Sequence, residues 1–172
     1  MYWFHRLRPR LPVVLSPGPL TPPPGTCFSY GIHKRMYPLN DKFLRVYMDA
    51  SKDSEAECVR EYMASQLFHS VPGLQPIHIH HIEIGTCHGA RMIGTVPKGR
   101  CDLVDYAQTP LPWLRTLHIM SDMANGLHHI HAKGYVHGDI KPDNILIGQD
   151  DTVSIIDFGW SQKNESGSMP RG

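Results

Sequence analysis

The sequence predicts an α+β fold in which a strand-rich first half precedes a helical second half. Between residues 27 and 48, two runs rich in aromatic and β-branched residues flank the turn-prone segment Pro38-Leu39-Asn40-Asp41, which predicts a β-hairpin. Apolar residues recur at helical spacing after Ser54 and again after Pro112, which predicts two amphipathic helices. The chain of 172 residues is long enough for one domain, or for two small lobes that share a cleft.

The first predicted helix begins near Asp53 or Ser54, either of which can serve as its N-cap, and it ends before Pro72-Gly73. Its apolar positions are Ala56, Val59, Tyr62, Met63, Leu67 and Phe68. Two strands are expected after this helix. The first runs from Ile77 to Ile84, where apolar residues alternate with histidines, and the second runs from Ala90 to Val96. The first half is therefore expected to combine several strands with one helix.

The second predicted helix follows Pro112 and stops at Gly134, which suits the residue just after a helix end. One face of it carries Leu114, Leu117, Met120, Met123 or Ala124, Leu127 and Ile130. Beyond it we expect a loop, a strand from Ile145 to Ile147, a turn, and a strand from Val153 to Ile156. An apolar helix face must meet a core, so the helix is expected to pack on these strands.

Composition narrows the classes of partner. Seventeen Lys and Arg residues against sixteen Asp and Glu residues give a formal net charge of +1, which lacks the basic excess typical of nucleic-acid binders. No apolar stretch approaches the roughly 20 residues that a membrane crossing requires. The four cysteines form no C-x-x-C pair, and they are Cys27, Cys58, Cys87 and Cys101. We therefore expect reduced thiols, no nucleic-acid or membrane partner, and an intracellular location in cytoplasm or nucleus.

The first 24 residues are expected to form a disordered tail. Five prolines between Pro17 and Pro24 exclude a helix or a central strand from this segment. The apolar run from Leu11 to Leu15 is broken by Pro12, and it is too short for a secretory signal. The folded part is therefore predicted to begin near Gly25.

Two motifs in the second half carry the chemistry. The first is Val136-His137-Gly138-Asp139-Ile140-Lys141-Pro142-Asp143-Asn144, in which a carboxylate and an amide are five residues apart on one loop. The second is Asp157-Phe158-Gly159, which follows an apolar strand. Phosphoryl transfer needs a carboxylate that accepts the proton of a hydroxyl, together with nearby oxygen atoms that bind Mg²⁺. The order and the interval of the two motifs together match that requirement.

The two motifs resemble the catalytic loop and the metal-binding Asp-Phe-Gly of eukaryotic-type protein kinases. The chain is identified as a divergent Ser/Thr-like member of that family, truncated after Asp-Phe-Gly. The resemblance implies ATP and Mg²⁺ as cofactors and a protein as substrate. It implies that Asp139 is the base, that Lys141 meets the transferred phosphate, and that Asn144 and Asp157 bind metal and nucleotide. Lys141 stands where Ser/Thr kinases carry lysine, which is the main indication of a protein substrate.

The resemblance also implies a protein-kinase-like bilobal fold. Residues 25–97 would form the β-rich N-lobe, and residues 98–172 would form the hinge and an incomplete helical C-lobe. Because the helices that normally cover the long second helix are absent from the sequence, we expect exposed apolar surface there. A partner chain or a dimer is then expected to cover it.

The nucleotide side of the resemblance contains several departures from the family pattern. Ser29-Tyr30-Gly31 resembles the end of a glycine-rich phosphate loop, but the two earlier glycine positions fall on Thr26 and Phe28. Phosphates would approach this backbone less freely than they approach glycine. A hairpin with fewer glycines could still cover a nucleotide.

Three further residues are implied to bind or orient the nucleotide. Arg45 occupies the slot of the family's strand lysine, although a planar guanidinium is not equivalent to a compact ammonium group. Glu61 is the expected carboxylate partner of Arg45, with Glu57 one turn earlier as the alternative. Thr95 would stand at the gatekeeper position before the hinge.

Gly138 replaces the arginine of the family's H-R-D motif. In the family that arginine pairs with a phosphorylated activation loop. The replacement predicts activity that does not depend on such phosphorylation.

Two other functions remain open at this point. The triplet His137-Gly138-Asp139 also resembles small-molecule phosphotransferases of the aminoglycoside and choline type, although Lys141 and Gly159 favour a protein substrate. The departures on the nucleotide side and the short C-terminal part favour the second alternative, a truncated kinase or pseudokinase that acts as a binding module.

A structural metal site is a separate hypothesis. Its candidate ligands are His78, His80, His81, Cys87 and His88. Strand alternation puts His78 and His80 on one face and His81 on the other, so a tetrahedral site would need ligands from a loop. Surface histidines on a strand are the competing interpretation.

Overall fold

The computed structural model describes residues 29–30, 34–39, 42–49, 52–75, 78–86 and 89–164. The predicted tail at residues 1–24 lies outside these ranges, as do Thr26, Phe28 and Gly31 of the expected phosphate loop. Cys87 and His88, two of the candidate metal ligands, also lie outside them.

A five-stranded antiparallel sheet occupies the first half of the chain. Its strands are β1 (Ser29–Tyr30), β2 (Lys34–Leu39), β3 (Lys42–Asp49), β4 (His78–Thr86) and β5 (Gly89–Pro97). Their order in the sheet is β1-β2-β3-β5-β4. The predicted hairpin is confirmed, because Leu39 of β2 pairs with Lys42 of β3 across the expected turn. The order leaves β3 in the centre, between β2 and β5.

Helix α1 (Lys52–Leu67) connects β3 to β4 and lies against β3, β4 and β5. The expected cap is wrong, because Asp53 and Ser54 lie inside the first turn of the helix. The helix therefore begins one to two residues before the predicted start. After α1 the chain reverses through Ser70 and Gly73, which have φ angles of 61° and 78°.

The second half combines one long helix with short strands. The helices are α2 (Leu103–Tyr106), α3 (Trp113–Ala132) and a 3₁₀ turn (Pro142–Asn144). The strands are β6 (Cys101–Asp102), β7 (Tyr135–Val136), β8 (Ile145–Ile147), β9 (Val153–Ile155) and β10 (Gln162–Lys163). They form a three-stranded sheet in the order β6-β8-β9 and a separate β7-β10 pair. Gly134 follows α3 with a φ angle of 73°, as the helix-end prediction requires.

One hydrophobic core joins α1, α3 and the small sheet. Its buried members include Phe68, Leu74, Ile130, Ile145, Ile147, Ile155 and Phe158. The segment after α1 extends the small sheet, because the Ile155 N–H donates to the Gly73 carbonyl at 2.8 Å and the Gln75 N–H donates to the Ile155 carbonyl at 3.0 Å. The predicted mixed α+β class is therefore confirmed.

Glycine at position 126 permits the close packing of α3 on this segment. A Cβ atom there would lie 2.9 Å from the carbonyl oxygen of Gly73 and 3.0 Å from Cδ1 of Ile155. Contacts that short require a shift of the backbone. The second half of α3 therefore sits directly on the strand that leads to Asp157.

The first half of α3 exposes most of its large apolar residues. Leu114, Leu117 and Met120 are 63%, 40% and 60% exposed, whereas Ile119 and Ile130 are buried. The predicted exposed surface is therefore present, although only on part of the helix. Within the described residues, no helix combines the length and the apolar character that a membrane crossing requires.

Candidate active site

His137 anchors the start of the candidate catalytic loop, residues 137–144. It follows β7, and only 2% of its surface is exposed. Its Nε2 atom lies 3.0 Å from the carbonyl oxygen of Ile156, and its Nδ1 atom lies 3.3 Å from the backbone nitrogen of Asp139. A carbonyl can only accept and a backbone N–H can only donate, so the ring carries its proton on Nε2. The neutral imidazole thus ties the loop to the strand before Asp157.

Asp139 lies at the centre of a small polar network. The amide nitrogen of Asn144 donates to the backbone oxygen of Asp139 at 2.8 Å and to its Oδ2 atom at 2.9 Å. The ammonium group of Lys141 lies 2.9 Å from the same Oδ2 atom. This hydrogen bond to Asp139 raises the pKa of Lys141. The three predicted loop residues are therefore in direct contact, and the carboxylate of Asp139 remains partly accessible, with 30% of its side chain exposed.

Asn144 is positioned with its amide oxygen free for another partner. Its side chain is buried, and both of its described side-chain hydrogen bonds use the nitrogen atom. The backbone around it is fixed by the 3₁₀ turn, in which the Asn144 N–H donates to the Lys141 carbonyl at 2.9 Å. The amide oxygen is thus the atom that could bind a cation.

Asp157 enters the site from the end of β9. The Ile156 N–H donates to the carbonyl of Asn144 at 2.9 Å, so the residue before Asp157 is hydrogen-bonded to the catalytic loop. The charge of Asp157 also contributes to the raised pKa of Lys141. Asp157 has a φ angle of 67°, in the left-handed region that costs a non-glycine residue about 1–3 kcal/mol. The surrounding structure must supply that energy.

Phe158 packs between the two halves of the chain. This packing provides part of the energy that offsets the left-handed φ angle of Asp157. Its ring stacks on Phe68 at a centroid distance of 5.4 Å, and it meets His137 edge-on at 4.9 Å. Only 2% of Phe158 is exposed. Sequence reasoning placed Phe68 on the apolar face of α1 but gave it no part in the site. The available signal was its position seven residues after Glu61, which puts the two on the same helix face.

The expected nucleotide-side residues are placed on the large sheet and on α1. Glu61 lies on α1 and is fully buried. Arg45 lies on the central strand β3, where it pairs with Met36 and Gly94. Thr95 lies on β5, next to the segment that leads to β6. Since α1 lies against both β3 and β5, these three residues come from adjoining elements.

Glu57, the alternative partner for Arg45, contacts a different part of the site. A Cβ atom on Gly159 would lie 2.6 Å from the Glu57 Cγ atom and 2.8 Å from its Oε1 atom. The side chain of Glu57 therefore lies against the glycine of Asp-Phe-Gly. This position favours Glu61 as the carboxylate that serves the nucleotide side.

The donor set is suited to Mg²⁺. Carboxylate and amide oxygens are the ligands that Mg²⁺ prefers, and it usually takes one or two protein carboxylates together with phosphate and water oxygens. Asn144 and Asp157 would supply that amide and that carboxylate. For the histidine hypothesis, no group of three or more His, Cys, Asp or Glu residues suited to a metal occurs among the described residues.

The sequence of the second half is similar to known proteins. The protein kinase domain family matches residues 96–171, which include the catalytic loop and Asp157-Phe158-Gly159. Over these residues, which are less than half of the chain, the sequence is similar to protein kinases. The matched kinase segment begins at the end of β5 and contains every element from β6 to β10.

Several curated kinases are similar to the chain. An Aurora kinase of Candida glabrata is 47% identical over 51 residues, which is 30% of this chain and 14% of that protein. A probable LIM domain-containing serine/threonine-protein kinase of Dictyostelium discoideum is 43% identical over 61 residues, which is 36% of this chain and 9% of that protein. Chitin elicitor receptor kinase 1 of Arabidopsis thaliana is 35% identical over 112 residues, covering 55% of this chain and 17% of that protein. The chain thus spans less than a fifth of the length of these three relatives.

Proposed function

We propose that this kinase segment serves an ATP-dependent protein kinase that transfers the γ-phosphate to Ser or Thr of a protein substrate. The observation that carries the proposal is the network around Asp139, in which Lys141 and Asn144 both lie 2.9 Å from one carboxylate oxygen. Phosphoryl transfer depends mainly on positioning and on charge stabilisation, and this network supplies both.

Each residue of the network has a distinct task in the proposed reaction. Asp139 accepts the proton of the attacking hydroxyl. Lys141 stays protonated at neutral pH and offsets the negative charge of the phosphoryl group during its transfer. Asn144 and Asp157 would hold Mg²⁺ against the nucleotide phosphates, and the bound ion would supply further charge stabilisation.

The nucleotide is proposed to lie between the large sheet and the kinase segment, as in a bilobal kinase. Arg45 and Glu61 would orient its phosphates, and Thr95 would border the adenine. The burial of Glu61 on α1, a helix that lies against the strands of Arg45 and Thr95, supports this arrangement. Several relatives are named serine/threonine-protein kinases, and this similarity supports the proposed class of substrate.

The proposal is tested by Mg²⁺-dependent ATP binding and by phosphate transfer to a generic protein substrate. Asp139→Ala is expected to lower transfer by about 10²–10⁴-fold because it removes the general base. Asp157→Ala should abolish transfer and should also weaken Mg²⁺-dependent ATP binding. Asp143→Ala is the matched control, since this exposed carboxylate on the same loop has no proposed role and its loss should leave transfer within about threefold.

The other outcomes identify the alternatives. Transfer to aminoglycosides or choline but not to protein would replace the proposal with a small-molecule phosphotransferase. ATP binding without transfer, or no ATP binding, would instead favour a pseudokinase-like binding module.

Independence from activation-loop phosphorylation is part of the proposal, because Gly138 offers no cation for a phosphate. Transfer rates measured before and after phosphatase treatment should then agree within about twofold. A loss of tenfold or more on dephosphorylation would show that another residue has taken over the phosphate contact.

A further inference from the structure

The segment after Asp157 turns back on itself between helix α1 and the catalytic loop. Residues 158–161 form a turn that is closed by a 2.9 Å hydrogen bond from the Ser161 N–H to the Phe158 carbonyl. Phe158 and Ser161 are buried, whereas Trp160 at the tip is 67% exposed. Because Asp157 begins this turn with a left-handed φ angle, its position depends on whatever fixes residues 158–161.

Arg60 of α1 fixes one side of the turn. Its Nε atom donates a hydrogen bond to the carbonyl oxygen of Gly159. Its guanidinium carbon lies 5.9 Å from the centre of the Trp160 ring, which is within range of a cation–π contact. No carboxylate in the described part of the chain forms an ion pair with Arg60, so these two contacts account for its described interactions.

Gly138 of the catalytic loop borders the other side of the turn. A Cβ atom at position 138 would lie 2.5 Å from the carbonyl oxygen of Trp160 and 3.3 Å from its Cβ atom. The φ angle of Gly138 is 84°, which side-chain-bearing residues seldom adopt. Any side chain at this position would therefore push Trp160 away from the loop.

We propose that Arg60 is a positioning residue, which acts with Gly138 to fix the turn after Asp157 between helix α1 and the catalytic loop. Arg60 holds the turn through the Gly159 carbonyl, and the missing side chain at Gly138 leaves room for Trp160. The proposal rests on the proposed function, because it assigns the contacts that keep Asp157 beside Asn144. It couples the placement of α1 to that of the metal-binding carboxylate through a charge-assisted hydrogen bond that needs no added phosphate.

The first measurement reports on the turn itself and needs no activity. In the full chain with Trp3→Phe and Trp113→Phe, Trp160 is the only tryptophan, and its fluorescence anisotropy decay reports the local motion of the turn. Arg60→Met should at least double the amplitude of the fast decay relative to the parent chain. Arg60→Lys should give a smaller increase, because lysine keeps a charged hydrogen-bond donor. Gln66→Met, an exposed polar position on the same helix, is the matched control and should not change the decay. An unchanged decay in Arg60→Met would overturn the proposal.

The second measurement connects the turn to catalysis. Arg60→Met and Gly138→Ala should each lower kcat about tenfold with little change in KM for the protein substrate, because both displace Asp157 and neither contacts that substrate. The double variant should lose much less than the product of the two losses, since both changes release the same turn. Independent, multiplicative losses would contradict a shared role. If the parent chain transfers no phosphate, the proposed function fails, while the anisotropy result still decides whether Arg60 fixes the turn.

Discussion

The two halves of helix α3 carry the same apolar pattern, but the first half (the exposed half) leaves most of its large apolar residues exposed, with Ile119 as the exception, and the second half (the buried half) does not. Ile130 in the second half has no exposed surface and packs in the core with Ile155. Leu117 in the first half is 40% exposed and Met120 is 60% exposed. An amphipathic pattern therefore shows which face of a helix seeks a partner, but it does not show whether the described part of the chain supplies one.

The buried half lies against the strand that leads to the site. Gly126 brings α3 against Gly73 and Ile155, and Ile155 is two residues before Asp157. Around the exposed half, an apolar depression is lined by Leu103, Val104, Ala107, Leu111, Ile119, Met120 and Met123, among others. Substitutions in the two halves should therefore differ in their effects on stability and on self-association.

The largest expected effect is the loss of buried volume in the second half of α3. Ile130→Ala should lower the free energy of unfolding by about 2–5 kcal/mol, because it removes a fully buried side chain and leaves a cavity. Leu117→Ala, the matched change on the exposed half, should cost less than about 1 kcal/mol. Urea denaturation of both variants measures the difference. Equal losses would mean that the exposed half is covered in solution.

A smaller effect is expected when charges are placed on the exposed half. Leu117→Lys together with Met120→Lys should reduce self-association or precipitation, because the substitutions interrupt the exposed apolar surface. The free energy of unfolding should stay within about 0.5 kcal/mol of the parent value. Sedimentation velocity over a range of concentrations makes the comparison. A parent chain that is monomeric at every concentration would contradict the prediction that this surface binds a partner or a second copy.

The smallest effect concerns the ion pair between Lys141 and Asp139. Because Asp139 raises the pKa of Lys141 in the folded chain, the protonated lysine stabilises the fold. That contribution is complete below the unfolded pKa of about 10.4 and is lost as the pH rises through the raised folded value. The stability difference between the parent and Lys141→Met should therefore be constant at neutral pH and shrink above about pH 10.4.

Lys141→Arg provides the control for this titration. A guanidinium stays protonated throughout the range, so the Arg variant should keep its advantage over Lys141→Met above that pH. Chemical denaturation at a series of pH values follows both differences. If the stability advantage over Lys141→Met falls equally for the parent and for Lys141→Arg, the pH dependence comes from groups other than Lys141.

Much of the fold followed from local sequence patterns. The hairpin across residues 38–41, the helix after Pro112 and the two short strands that flank the Gly148 turn all appear within a few residues of the prediction. The short elements β6, α2, β7 and β10 were not predicted. Runs of two to four residues carry no periodicity, and the short strands among them pair with strands elsewhere in the chain.

The network at Asp139 was also predictable, since the residues from His137 to Asn144 lie on one loop and their spacing fixes their contacts. The contacts of Phe68, Glu57 and Arg60 with the segment after Asp157 were not predictable. These residues are about 90–100 positions away from it in sequence, and no local pattern distinguishes their side chains from an ordinary helix face.

The sequence by itself determined the elements that have a strong local period and the chemistry that one short loop contains. It determined these because hydrogen bonds and steric limits within a few residues specify them. Only the tertiary structure decided which half of α3 is covered, where Glu57 lies and how Arg60 and Gly138 meet the turn after Asp157. Those outcomes depend on packing between segments far apart in the chain, which the local sequence does not specify.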